Sequence, residues 1–153
     1  MKKFFIFVFI FLIPVNVSSF QEKALSQGET VYVSVYSHVY GGPKQSKVKL
    51  SSILSIRNTD TSNRITISKV DYYDTKGKYI ESYIKSNQTL GPLETTNFYI
   101  REYDMRGGSG AKFIVKWHSA KKVNQPAIES LMLGLMSGQG ISFVCRGINL
   151  KSN

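Results

Sequence analysis

Hydrophobic and polar residues alternate along several stretches of the chain. Between Thr30 and Tyr40, a valine occupies every second position from Val31 to Val35, and the positions between them hold tyrosine and serine. A period of two residues places the valines on one face of a β-strand. The stretch therefore predicts a strand that ends at the following Gly-Gly-Pro sequence.

The same alternation recurs farther along, and residues typical of turns separate the stretches. Further strands are predicted at Val48 to Arg57, Ile65 to Tyr73, Lys78 to Ile84, Thr95 to Glu102, Ala111 to His118 and Ile141 to Cys145. Turns are predicted at Asn58 to Asn63, Asp74 to Gly77, Leu90 to Leu93 and Gly107 to Gly110.

The stretch from Ala127 to Met136 fits two structures. Its Leu and Met residues have helical spacing, but the run is short and leads through Ser137-Gly138-Gln139-Gly140 into another strand pattern. A β-hairpin is therefore favoured. About seven or eight short antiparallel strands predict a single immunoglobulin-like β-sandwich at residues 30–150, after a polar lead-in at 20–29.

The N-terminus has the layout of a secretory signal peptide. Met1-Lys2-Lys3 is basic, the run from Phe4 to Ile13 is apolar, and Val17-Ser18-Ser19 provides short side chains for a peptidase. The apolar run is too short to span a bilayer. We expect a signal peptide at residues 1–19, cleavage near Ser19, and a periplasmic or extracellular mature protein without a transmembrane span.

Charge and cysteine content narrow the function classes. The chain has 20 Lys and Arg against 10 Asp and Glu, and loss of Lys2 and Lys3 lowers the net charge from +10 to +8. Such a basic protein is attracted to anionic glycans, lipids or proteins of the envelope. The excess of positive charge can also simply keep the protein soluble. Export makes nucleic acid an unexpected partner, and no cofactor is predicted.

Cys145 is the sole cysteine, which excludes an internal disulfide, and its apolar neighbours predict a buried residue.

Glycines surround the one serine that could suggest catalysis. Gly107-Gly108-Ser109-Gly110 is similar to a nucleophile elbow, but a strand pattern follows it where an elbow needs a helix. A serine hydrolase using Ser109 is therefore disfavoured. Two alternatives are a structural loop and an anion-binding nest of backbone N–H groups, with Arg106 and Lys112 adjacent.

Aromatic residues provide a second candidate surface. Tyr36, His38 and Tyr40 share a strand face and could grip a sugar or peptide, or simply cover the sheet. The histidines and Cys145 lack zinc-ligand spacing, so no metal site is predicted. Asp60, Asp71 and Asp74 follow strands, where carboxylates cap turns more often than they bind calcium.

Several strings resemble a known bacterial family of exported proteins, the domain of unknown function three-one-two-four. They are Tyr36-Ser37-His38-Val39-Tyr40, Leu54-Ser55-Ile56-Arg57-Asn58-Thr59-Asp60, Val70-Asp71-Tyr72-Tyr73-Asp74, Gly107-Gly108-Ser109-Gly110-Ala111 and Gln139-Gly140-Ile141-Ser142-Phe143. The resemblance implies a small exported or lipid-anchored protein with no established activity and no catalytic residues. This chain has no cysteine at the cleavage site, which favours a soluble form.

Together these features predict a non-enzymatic binding or accessory module of the bacterial envelope or periplasm. The alternative is a binder of an anionic glycan or lipid that uses a basic surface and the loop from Gly107 to Gly110.

The signal peptide yields a first prediction. The exported protein should begin near Phe20, because a peptidase reads the short residues that end at Ser19. Mass spectrometry of the exported protein measures this directly. Recovery of intact Met1 in a membrane fraction would contradict it.

Overall fold

The computed structural model describes residues 25–136 and 138–150. The expected signal peptide, its cleavage site and residues 20–24 of the polar lead-in lie outside these residues, as does Ser137. Within them the chain forms eleven strands and a single turn of 3-10 helix at Gly108–Gly110. No helix in this part of the chain has the length and hydropathy needed to cross a membrane.

Two antiparallel sheets pack face to face. Sheet 1 contains β1 (Ser26–Val35), β4 (Ile65–Tyr73), β5 (Tyr79–Ser82), β6 (Gln88–Leu90), β8 (Ala111–Val123) and β11 (Ile148–Leu150). Its strand order is β11-β1-β8-β4-β5, and β6 also pairs with β4. Sheet 2 contains β2 (His38–Gly41), β3 (Ser46–Arg57), β7 (Thr95–Ile100), β9 (Ala127–Met136) and β10 (Gln139–Arg146). Its order is β10-β9-β3-β2, and β7 also pairs with β3. The predicted antiparallel β-sandwich is confirmed, with more strands than the seven or eight expected.

The predicted single strand from Thr30 to Tyr40 was wrong in one respect, because the chain changes sheets within it. β1 ends at Val35 in sheet 1, and β2 begins at His38 in sheet 2. Ser37 lies in the crossing, where its N–H donates to Gly108 O at 2.9 Å and its carbonyl accepts from Leu50 N at 3.0 Å. These bonds satisfy the backbone outside the ladders. Ser37 and His38 are both buried, so the alternation of burial breaks at the crossing, but Tyr36, His38 and Tyr40 continue the period of two in the sequence.

The start of the first strand also differs from the prediction. β1 begins at Ser26, so residues 26–29 of the polar lead-in belong to sheet 1. These residues pair with β8 across a bulge, because Ser26 faces Val123 while Gly28 faces His118. The irregular pairing explains why the stretch lacks a clear period of two.

The ambiguous stretch from Ala127 to Met136 is strand β9, as favoured. It pairs with β3 on one side and β10 on the other. Ile128 and Met132 are buried, while Leu131, Leu133 and Leu135 lie on the opposite face. Apolar residues on both faces of one strand produce the helical spacing in the sequence.

The core lies between the sheets and includes several residues of β8. Phe113, Val115 and Trp117 are buried there as predicted, and Trp117 is only 1% exposed. The ring of Phe113 packs against Tyr72 and Tyr83 with centroid separations of 5.1 and 5.2 Å. In the described part of the chain, Trp117 Nε1 has no hydrogen-bond partner. The indole is therefore held by packing alone.

Cys145 was expected to be buried, and the structure corrects this. The residue is half-buried, because β10 is an edge strand with one open side. Burial nevertheless raises the pKa of the thiol above its ordinary value. A raised pKa lowers the thiolate population at neutral pH, which argues against a nucleophilic role.

Trp117 yields a stability prediction. Trp117→Ala should lower the free energy of unfolding by about 3 to 5 kcal/mol, because it leaves a cavity in the core. Trp117→Phe should cost less, since it keeps much of the ring and removes the unpaired N–H. Urea unfolding followed by circular dichroism measures both, with Tyr103→Ala as a control at a side chain that is 78% exposed. A red-shifted, freely quenched tryptophan emission in the native protein would contradict the buried position.

Candidate functional site

The glycine loop is bonded into the surrounding structure. Gly107 O accepts from both Thr75 N and Thr75 Oγ1 at 2.9 Å. Gly110 N donates to Thr75 Oγ1 at 3.0 Å, and Gly108 N donates to Met105 O at 3.2 Å. With Ser37 N on Gly108 O, these bonds form what we call the glycine clamp, made of residues 107–110, Thr75 and Ser37. The N–H groups of Gly108 and Gly110 already have acceptors, so the geometry supports the structural loop rather than an anion nest.

Arg106 is neutralised by carboxylates instead of facing an open site. Its guanidinium binds Asp104 at 2.7 Å and also pairs with Glu81. The hydrogen bonds that Arg106 donates to Asp104 and then to Glu81 hold its pKa above its usual range. Arg106 in turn lowers the pKa of Asp104. Lys112 lies nearby, where Nζ is 3.5 Å from Thr75 O.

Ser109 lacks the partners that a hydrolase needs. His118 lies seven residues beyond Ala111 on β8, which is about 23 Å along a strand. His38 Nε2 lies 3.4 Å from Tyr40 Oη, and its Nδ1 has no partner in residues 25–136 and 138–150. Neither histidine hydrogen-bonds Ser109 within that part of the chain. The geometry gives the hydrolase alternative no support.

The aromatic candidates Tyr36, His38 and Tyr40 do not form one platform. Tyr36 lies in the crossing and packs edge-on against Phe143 at a centroid distance of 5.6 Å. His38 and Tyr40 lie on β2, 5.2 Å apart between ring centroids. Burial, and then the charge of Lys47, lower the pKa of His38. The lowered pKa favours the neutral imidazole, and Tyr36 packs against Phe143 of β10 instead of against the two rings of β2.

Each candidate carboxylate serves its own local structure. Asp60 accepts hydrogen bonds from the backbone of Ser62 and Asn63, which lower its pKa. Asp74 caps its own hairpin, and Asp71 pairs with Lys69 at 2.9 Å. Across the described residues, no group of three His, Cys, Asp or Glu side chains could hold a metal ion. These carboxylates act as turn caps and ion-pair partners.

Sheet 1 presents a basic and tyrosine-bearing outer face that sequence inspection missed. Residues directly opposite one another in neighbouring strands share a face, so the register defines rows across β1, β8 and β4. The rows are Ser34, Lys112 and Tyr73, then Tyr32, Ile114 and Asp71, then Thr30, Lys116 and Lys69. We call these nine residues the basic sheet face. Asp71 is its one carboxylate, and the pair with Lys69 satisfies it.

A groove of about 790 Å³ continues this face at one end. It is lined by Gly28, Thr30, Lys116 and His118, among others. A Cβ on Gly28 would lie 2.8 Å from Trp117 O, so glycine permits the close approach of β1 and β8 there. The alternation of Lys112, Lys116 and His118 was the available signal, but it does not show which strands lie beside β8.

Comparison with protein families identifies the family of this chain. The model of the family described as protein of unknown function (DUF3124) matches residues 28–150, which run from within β1 to the end of β11. The chain belongs to this family. The resemblance seen in the sequence is thus confirmed, and the match covers both sheets.

Comparisons with individual proteins add little. No curated protein matches the chain. A solved structure titled "Crystal Structure of Thermotoga maritima 1070" is similar, with 9% identity over 81% of this chain and 96% of that chain. Its TM-score is 0.48. Functional inference for this DUF3124 member therefore rests on its own side chains.

The glycine clamp yields a third prediction. A Cβ on Gly107 would overlap Tyr72 Oη and lie 2.7 Å from Ala111 Cβ, so Gly107→Ala should destabilise the fold by about 1 to 3 kcal/mol. Gly140→Ala is the matched control, because nothing lies within 4 Å of its added Cβ. Thermal unfolding of both variants measures the difference. Equal melting temperatures would show that the clamp tolerates a side chain.

Proposed function

We propose that this protein is a non-enzymatic binding module exported to the bacterial envelope or periplasm, and that its basic sheet face binds an anionic envelope polymer. The observation that carries the proposal is that Lys112, Lys116 and Lys69 lie on one face, in the first and third of its three rows, with a single carboxylate among them. The loop from Arg106 to Gly110, in contrast, offers neither free amides at Gly108 and Gly110 nor an unpaired arginine.

The spacing of this face suits a ligand with repeated charges. Lys116 and Lys69 are direct cross-strand neighbours, and Lys112 lies four residues from Lys116, about 13 Å along β8. Lys116 is exposed, and its Nζ forms no salt bridge in the described residues. A polyanion can therefore contact several cations at once, and summed surface charge favours such contacts.

The tyrosines add a second type of contact. Tyr32 and Tyr73 are half-buried on this face, and Tyr79 packs against Tyr73 at a centroid distance of 5.7 Å with its own ring half exposed. A tyrosine offers a flat apolar ring and a hydrogen-bonding hydroxyl, which together suit a sugar ring. The combination favours a charged glycan over a simple inorganic anion.

The proposal is tested with dextran sulfate, using uncharged dextran as the ligand control. Lys112→Ala/Lys116→Ala should weaken binding by roughly tenfold or more in 0.1 M salt, since each lysine near an anionic surface contributes about 1 kcal/mol. The matched variant Lys47→Ala/Lys49→Ala removes the same charge from sheet 2 and should change affinity much less.

Titration calorimetry at fixed ionic strength measures both affinities. Equal losses in the two double variants would show diffuse attraction to a basic protein and reject a specific face. Unchanged affinity in both would place the binding surface elsewhere.

A further inference from the structure

The outer face of sheet 2 carries a row of apolar side chains. Val144, Leu131, Ile53 and Tyr99 are direct neighbours across β10, β9, β3 and β7. Val144 is 52% exposed and Tyr99 is 57% exposed. The sandwich core lies on the other side of the sheet, so this row contributes nothing to holding the two sheets together.

A polar row runs beside the apolar one. Ser55 lies on β3 between Asn97 of β7 and Glu129 of β9, and Arg57 is the next residue on that face. The Arg57 guanidinium binds Glu129 through Nη1 at 2.9 Å. A cavity of about 430 Å³ lies over both rows, and we call it the sheet-2 groove.

Two groups in the sheet-2 groove have unused hydrogen-bonding capacity. Ser55 Oγ is buried and has no partner in the part of the chain that the structure describes. Buried hydroxyls normally have partners, and rotation about the Cα–Cβ bond can turn this one toward the groove. Arg57 binds Glu129 through one nitrogen, which leaves other N–H donors. Arg106 shows that a guanidinium in this fold can bind two carboxylates at once.

We propose that the sheet-2 groove binds an amphipathic carboxylate with an aliphatic chain, of the fatty-acid type. The carboxylate binds Arg57 and accepts a hydrogen bond from Ser55, while the chain covers Ile53 and Leu131. Ile53 and Arg57 are four residues apart, about 13 Å along a strand, which separates the two ends of such a ligand. The aliphatic lining favours a chain over a sugar ring.

Positive charge at the edge of the sheet-2 groove favours an anionic ligand over a second copy of the chain. Arg146 is exposed and faces Glu129 across β10 and β9, so two arginines accompany one carboxylate. Without the expected signal peptide, which carries Lys2 and Lys3, each copy also has a formal net charge of +8. Face-to-face pairing would bring these like charges together, whereas a small anion is attracted. The sheet-2 groove and the proposed polymer site lie on different sheets, so binding at one does not require binding at the other.

The test uses sodium dodecanoate below its micelle concentration, with dodecyltrimethylammonium as a probe of equal chain length and opposite charge. Arg57→Gln should weaken dodecanoate binding by about tenfold, the effect of losing one charge-assisted hydrogen bond. Arg64→Gln is the matched control, because Arg64 is an exposed loop residue outside the groove. The Arg64→Gln variant should bind dodecanoate within twofold of the parent affinity, because loss of a direct contact would cause a larger change.

Ser55→Ala provides a second variant if Arg57→Gln folds poorly, and it should weaken binding several-fold through the lost hydroxyl. Calorimetry measures affinity, and circular dichroism verifies folding. Equal binding of both probes, or equal losses in Arg57→Gln and Arg64→Gln, would overturn the proposal. A dimer in sedimentation that Val144→Lys dissociates, or binding to anionic vesicles without dodecanoate binding, would also overturn it.

Discussion

The glycine clamp fixes the positions on which both sheets depend. Gly107 and Gly108 carbonyls accept hydrogen bonds from Thr75 and Ser37, which join the β4–β5 hairpin to the crossing between β1 and β2. Val35 faces Ala111, and Tyr73 faces Lys112, next to the clamp. The clamp therefore sets the register of β1, β8 and β4. A slip of one residue would reverse every side chain on a strand, and the basic rows would turn into the core.

The two outer faces have different chemistry although both follow the same period of two. Lys112 and Lys116 alternate with core residues on β8, so sheet 1 is basic outside. Leu131 and Leu133 alternate with Ser130 and Met132 on β9, so sheet 2 is apolar outside. One fold thus presents two opposed surfaces, one suited to a charged polymer and the other to an amphipathic molecule.

The sequence predicted the strands better than it predicted the sites. Ile65 to Tyr73 forms β4 as predicted, because alternating burial is a local property of a strand. The pairing of Arg106 with Glu81 joins a residue of the loop before β8 to a residue of β5, and no local pattern indicates it. The rows of the basic sheet face are likewise invisible, because β1, β4 and β8 are far apart in the chain. The crossing at Ser37 was missed because Tyr36, His38 and Tyr40 continue the period of two in the sequence, although Ser37 and His38 are both buried.

The position of the last strand has a consequence for the order of folding. β11 pairs with β1, so the final strand of the fold lies beside the first, and β1 also needs β8 before its other edge is covered. Pairing between such distant segments is slow, because loops must close before the contacts stabilise them. Sheet 1 cannot be completed until nearly the whole chain is available. A chain that emerges N-terminus first would therefore leave most of β1 without a neighbouring strand until β8 emerged.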